Sequence, residues 1–570
     1  MFAPLHPLWG RLIETLDSAP DIIRLTVSAE EEISGQKALQ KVCHQAVDAT
    51  ILAQESGRDV DIAVLDSALR LAQDPRTIRY LAHPSVISGC IRLLKTAVSQ
   101  RGRSSSPFRY EYGHLCFKLL VASMNICLLE RYNELDEALL ACEEHDEYAA
   151  DYLASVALGL VVENRFQISY NGSNSNWVSG WATSDAQQAP LVSRSDLSTL
   201  LGLLWDDRKF ILATSGLSGL LFLLSQYIFQ EKNFNDSLDG EMLKGRMYEL
   251  GLRYLLVAEQ SQRAATLRAI DANHPEEDSW SVTPKHIDAE DSRLLMTAFI
   301  KRLSNGNDPS VFLTREPSVM LRLITTSTDP DTQDLLPGVI RCAVEYGWSM
   351  LFGIDLDLEH RLQGIARTLF GVLVFKSQFI CPTHNPKPVY RLTSAARIEI
   401  LATMRNSDLM DMTACIIAQL NPAESGGADF VFHCIALFFA ALFDRVPASE
   451  LKHSFQGYVA DWWRFNRYLM LLRDGIIAVP VGYRIHYNKC LHYWFQIARL
   501  LGLAPVLEEH LGTSCSSARC PMGSMNEAVG FSCSGCAIVR YCNGHCQSID
   551  WKFGEHHQSH QNSSKEGAEV

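Results

Sequence analysis

Cys533-Ser-Gly-Cys536-Ala-Ile-Val-Arg-Tyr-Cys542-Asn-Gly-His-Cys546-Gln-Ser-Ile-Asp-Trp551, residues 533–551, places four cysteines in two close pairs. A third pair, Cys515 and Cys520, stands just before it, and His556 and His560 follow at helical spacing. Thiolate and imidazole are the donors that a tetrahedral zinc prefers, and a segment too short for a hydrophobic core can fold around such ions. Eight donors make two closed four-coordinate sites. A closed site leaves no position for water or substrate, so the zinc expected here is structural. Read as a disulfide framework, the same cysteines would leave the histidines without a role.

The linear order alone allows the donors to be used consecutively or interleaved. His557 competes with its neighbour His556, but on a helix His556 and His560 share a face that His557 does not. His545, inside the C-x3-C loop, reads as a solvent-facing bystander.

The segment resembles the MYND-type zinc finger. The likeness is carried by the C-S-G-C run, by Arg540-Tyr541-Cys542, by Gln547 after Cys546 and by Asp550-Trp551 ahead of the histidines. It covers only residues 515–560. Two departures are the C-x4-C spacing of the first pair, where the family commonly has C-x2-C, and a histidine, His560, where the family usually has a final cysteine. The resemblance implies a two-zinc cross-brace, with Cys515, Cys520, Cys542 and Cys546 on one ion. It assigns Cys533, Cys536, His556 and His560 to the other. It also implies a shallow groove for proline-rich peptides, lined by Ser534, Gln547 and Trp551. A proline-rich segment is already extended and loses little entropy on binding. An indole offers its rings a flat apolar face, and a glutamine can bond the peptide backbone.

The charge argues in the same direction. The 570-residue chain has a net charge of −14, which disfavours general affinity for nucleic acid or anionic membrane. Within the finger, Arg519, Arg540 and Lys552 are balanced by Glu527, Asp550 and Glu555. A finger that reads DNA is normally basic.

The rest of the chain has a helical period. Ile62, Leu65, Leu69 and Ala72 form one stripe; Val86, Ile87, Cys90, Ile91, Leu94 and Val98 form a broader one; Leu115, Leu119, Ala122, Ile126 and Leu129 form a third. Breaks fall at Asp74-Pro75, at His83-Pro84 and near Pro107. Further helices are expected around 318–325, 339–352, 358–374, 394–404 and 430–443. A last one through Leu491, Trp494, Phe495 and Ala498 should stop at Gly502 and Pro505. Residues 476–487, broken by Pro480, read as an extended loop. The expected fold is therefore mostly α. It comprises a helical body over 1–510, with a candidate subdivision at the polar loop 168–192, the finger over 515–560 and a disordered tail over 561–570. Residues 84–94 resemble an armadillo repeat helix, which implies an armadillo-like stack.

Ten further cysteines, such as Cys90, Cys127, Cys342 and Cys434, lie in apolar runs, as buried thiols do in a reducing compartment. The opening residues lack a basic start followed by an apolar run, so no secretion signal is expected. Residues 210–229 hold no charge and are long enough to span a membrane. A buried central helix reads the same way, and that reading is preferred. The expected location is intracellular, cytoplasmic or nuclear.

Catalytic signals are sparse. Asn273-His274 lacks the surroundings of a SET-type methyltransferase motif. His286-Ile-Asp288, with His360 as a distal partner, matches the ligand pattern of iron hydroxylases, but Asp288 reads better as a residue at a helix start. Residues 143–147 read as a solvated acidic face. Trp462-Trp463, with Arg464, Phe465, Arg467 and Tyr468, could stack nucleic-acid bases, though a packed aromatic helix explains them better. The expected function is a non-enzymatic, zinc-binding adaptor for protein partners. The alternatives are a transcriptional regulator acting through nucleic acid or corepressor contacts, and an enzyme with its site in the helical body.

Overall fold

The computed structural model describes residues 6, 8–13, 26–46, 60–99, 106–145, 148–162, 190–209, 217, 219–221, 224, 225, 227, 228, 238–275, 280, 285–304, 316–352, 358–371, 392–423, 425–474, 477, 480–511, 517, 531–533, 540, 541 and 544–553. The chain is mostly helical and forms two compact units, Met1–Ala298 and Phe299–Val570. The division falls inside a helix, Ala289–Ser304, whereas the polar loop considered above as a subdivision lies within the first unit, mostly outside the described residues.

The first unit contains α1 (Ala29–His44), α2 (Ile62–Arg70), α3 (Pro84–Ser99), α4 (Glu111–Arg131), α5 (Leu135–Glu143), α6 (Ala149–Val162), α7 (Arg194–Asp206), α8 (Leu238–Leu255), α9 (Gln260–Ala272) and the start of α10 (Ala289–Ser304). Local chemistry sets several starts. The hydroxyl of Ser28 accepts from the Glu31 amide while Glu31 accepts from the Ser28 amide, a capping box at α1. Asp61 caps α2 through the Val64 amide at 2.9 Å. Pro84 opens α3, where a missing amide hydrogen costs nothing. The three stripes seen in sequence are the buried faces: Leu65, Val86, Cys90, Leu94, Leu119 and Leu129 are all fully buried. The first stripe is interrupted, because α2 ends at Arg70 and Leu71–Gln73 form a 3-10 turn. α3 packs on α4, α1 on both α2 and α3, and α9 on α6 and α8.

The second unit contains the end of α10, then α11 (Glu316–Thr326), α12 (Leu336–Phe352), α13 (Leu358–Ile365), α14 (Ser394–Asn406), α15 (Leu409–Gln419), α16 (Ser425–Arg445), α17 (Ala448–Phe455), α18 (Val459–Arg473), α19 (Arg484–Leu500) and α20 (Ala504–Leu511). A small terminal element follows: β1 (Phe531–Ser532), β2 (Arg540–Tyr541) and α21 (Gly544–Phe553). α19 stops as expected. Gly502 takes φ +72° and its amide donates to Arg499, while the Leu503 amide reaches back to Ala498 at 2.9 Å. That pair of bonds is a Schellman cap.

Two expectations need correction. Residues 481–487 are helical rather than extended: a 3-10 turn over Val481–Tyr483 leads straight into α19. Pro480 sits just ahead of that turn, where its lack of an amide hydrogen does no harm. The helix through Trp494 is not the last before the finger, since α20 follows, with Pro505 in its first turn. The helix expected over 358–374 is helical throughout its described part: α13 runs to Ile365 and continues as a π-type turn, Ala366–Gly371, while 372–374 lie outside the described residues.

Two described helices are long and apolar enough to cross a membrane: α4, with mean hydropathy 1.4, and Gly426–Arg445 of α16, with mean hydropathy 1.8. The apolar window of α4 is 83% buried within the protein and that of α16 44%. The described residues of 210–229, among them Leu217, Leu220, Leu224 and Ile228, are buried in the core of the first unit.

The first unit also buries charge. Glu249 and Arg253, one turn apart on α8, are both fully buried, as is Asp291 of α10. Arg253 forks onto Asp291 with two bonds of 2.9 Å and donates to Glu249 at 3.2 Å. Arg208 reaches Glu249 at 3.0 Å and lies over the Trp205 ring. Burial works against the Arg253 guanidinium, yet the bonds and charges of Asp291 and Glu249 raise its pKa above the ordinary value. Burial also pushes the Glu249 carboxyl up, against the pull of Arg253 and Arg208. Arg253→Met should therefore destabilise the protein by about 3–5 kcal/mol in denaturant unfolding, since it takes the buried guanidinium away from Asp291 and leaves Glu249 with Arg208. A loss below about 1 kcal/mol would show that the network is not needed for stability.

Candidate metal and peptide site

The terminal element is a minimal ββα unit. β1 and β2 pair antiparallel, Phe531 opposite Tyr541 and Ser532 opposite Arg540, and α21 packs on both strands. Cys533 follows β1 directly and Cys546 lies in the first turn of α21, so both thiols are carried on this unit. Both are buried, at 5% and 1% exposed. The other proposed ligands, Cys515, Cys520, Cys536, Cys542, His556 and His560, lie outside the described residues, as do His557 and the groove residue Ser534. Among the described residues no group of three or more metal-binding side chains is present, and the two described ligands would belong to different ions.

One bond closes the unit. The Tyr541 hydroxyl donates to Asp550 Oδ2 at 2.7 Å, with Tyr541 fully buried and Asp550 8% exposed. These two residues belong to the Arg-Tyr-Cys and Asp-Trp signatures, and the structure shows them in contact. Sequence reasoning valued each as a signature letter and missed that they bond. The signal was present, because a tyrosine buried in so small a unit needs a partner for its hydroxyl.

Helical geometry then sorts α21. Cys546 and Asp550, four apart, face inward. Gln547 and Trp551, also four apart, lie on the adjoining face, with Gln547 half-buried and Trp551 44% exposed. Phe553 is 64% exposed, and His545 is exposed as expected. Among the described side chains of the unit, the buried aromatic ring is Tyr541 rather than Trp551. Ser517, between Cys515 and Cys520, is 4% exposed, and its hydroxyl has no hydrogen-bond partner among the described residues.

The other candidate residues have structural work. Asp288 caps α10 by accepting from the Asp291 amide at 2.7 Å and pairs with Lys209 at 3.3 Å. His360 lies on α13 in the second unit. Asn273, at the end of α9, donates to Ser225 and to the Ala269 carbonyl. Glu143, Glu144 and His145 are exposed, and 146–147 lie outside the described residues. Trp462 is fully buried and Trp463 7% exposed. Trp462 stacks on Trp494 with centroids 6.0 Å apart, and each indole N–H donates to the other residue's carbonyl. That is a packed helix pair, so these two indoles are used in the core, while Tyr468 on the same helix is 42% exposed.

Tyr541→Phe should loosen the ββα unit by about 1–3 kcal/mol, because Asp550 loses its buried donor. Limited proteolysis of the tail, or its thermal transition, reads this directly, and an unchanged tail would show that the bond is dispensable. No protein-family model, curated protein or solved structure matches this chain, so the reading of the site rests on its own residues.

Proposed function

We propose that this chain is a zinc-binding adaptor, a helical scaffold whose C-terminal MYND-type finger holds two structural zinc ions and takes proline-rich peptides of partner proteins. The observation that carries the reading is the two-faced helix α21: buried Cys546 and Asp550 on one face, Gln547 and exposed Trp551 on the next. An adaptor needs that division, since the residues that fold the unit cannot also be the residues that grip a peptide. The zinc ligands would be the six cysteines and two histidines named above. The chemistry fits the described part, which puts two buried thiols on a unit too small to have much other core. The ions would crosslink the tail, and no catalytic step is part of the proposal. The buried Ser517 hydroxyl, which has no hydrogen-bond partner among the described residues, supports the same site, for a neighbouring thiolate would give it an acceptor.

The armadillo-like description of the body belongs to this proposal. It is supported by successive helices that pack as pairs, α3 on α4, α8 on α9 and α18 on α19. An intracellular setting is supported by the thiols of Cys90, Cys116, Cys127, Cys342, Cys434 and Cys490, which are buried and outside any disulfide. Burial raises the Cys127 and Cys490 thiols to about 12, so they are inert packing groups.

Purified protein should hold two zinc ions per chain, and chelation should unfold the tail while far-UV helicity stays nearly intact, because structural zinc supplies roughly 10–16 kcal/mol to small fingers. A metal count near one would overturn the eight-ligand assignment. Trp551→Ala should keep both ions and lose about 2 kcal/mol or more of affinity for proline-rich peptides in a titration. Loss of zinc in that variant would make the tryptophan structural, and unchanged peptide affinity would remove this groove from the proposal.

A further inference from the structure

The second unit contains a cavity of about 460 Å³, within the range that small-molecule sites occupy. Its walls come from α13, the end of α15 with the turn after it, the first turns of α16, and Tyr487 of α19. The apolar part is built by Leu362, Leu420, Ala428 and Val431, each at most 5% exposed. Among the described residues that line it, Glu359 is the sole charged group.

That carboxylate is held in place. Gln363, one turn on, donates to Glu359 Oε1 at 2.7 Å. On the opposite wall stands Gly427, in the first turn of α16. A Cβ there would lie 2.3 Å from Glu359 Oε1 and 2.8 Å from Gln363 Nε2. Only a glycine lets the carboxylate lie against this helix start, whose dipole favours a negative charge. The neighbouring cations are directed elsewhere: Lys489 pairs with Asp429 at 3.1 Å, and Arg361 donates to the Leu351 carbonyl at 2.9 Å.

A held carboxylate beside an apolar wall, in a cavity with no cation among its described lining residues, selects for positive charge joined to a small apolar body. We propose that this cavity binds a compact organic monocation, an amidinium or alkylammonium compound, with its charge on Glu359 and its apolar part against Leu362, Ala428 and Val431. This site is independent of the finger and of its zinc.

Three probes of one shape and different charge test this on the full chain: benzamidine, benzamide and benzoate, titrated by calorimetry. Benzamidine should bind at least about tenfold more tightly than benzamide, and benzoate should not bind, because charge-assisted bidentate pairing is available to the amidinium alone. Glu359→Gln should abolish the preference for benzamidine over benzamide. Gly427→Ala should weaken benzamidine about tenfold by displacing the carboxylate, and it serves as the deciding variant if Glu359→Gln loses helicity. Equal binding of the three probes, no binding of benzamidine, or a preference that survives Glu359→Gln would each overturn the proposal.

Discussion

The body of this protein depends on one constraint: its helices draw their stability from packing on one another. The described helices run from eight to twenty-one residues, several of them below the roughly 12–15 at which an isolated helix is marginal in water. Each must bury an apolar face on a neighbour. α4 shows the extreme, with Leu119, Leu120, Met124, Leu128 and Leu129 all fully buried, since α2, α3 and α6 cover it from different sides. Its hydropathy would suit a membrane, but here other helices take the place of lipid.

The tail lies outside that economy. A ten-residue helix on two two-residue strands has little apolar area to bury. Its described core is one tyrosine, one aspartate and two cysteines. Two thiols, Cys533 and Cys546, are buried in its described part, and inward thiols are groups from which a crosslink can be made. Tyr541 is fully buried in this unit, while Trp551 stands 44% exposed on α21.

The periodic faces of α2, α3 and α4 were legible because burial repeats every three or four residues and leaves a trace in any single sequence. The Gly502 stop was legible because a left-handed residue at a helix end favours glycine. The segment 481–487 was not. Pro480 and the β-branched residues ahead of it suggested an extended chain, but tertiary packing of α19 on α16 and α18 extends helix up to that proline. The paired cysteines of the tail stand out as a pattern of letters, whereas the Tyr541–Asp550 bond depends on the strand register and the helix start together.

The buried charges mark the limit of such reading most clearly. Glu249 and Arg253 look in sequence like any solvated pair one turn apart, a contact that contributes a few tenths of a kcal/mol on an exposed helix. Asp291 lies 38 residues further along, and nothing local links it to them. What changes their meaning is burial. Once α10 brings Asp291 against α8, the guanidinium is enclosed by two carboxylates, and withdrawing Arg253 leaves Asp291 without its buried cation while Glu249 keeps Arg208. The interaction costs more to break than it gains by forming, so it acts less as a source of stability than as a constraint on how these two helices meet. Apolar faces allow sliding by a turn. A forked bond from Arg253 to Asp291 does not, and the register of α8 against α10 follows from it.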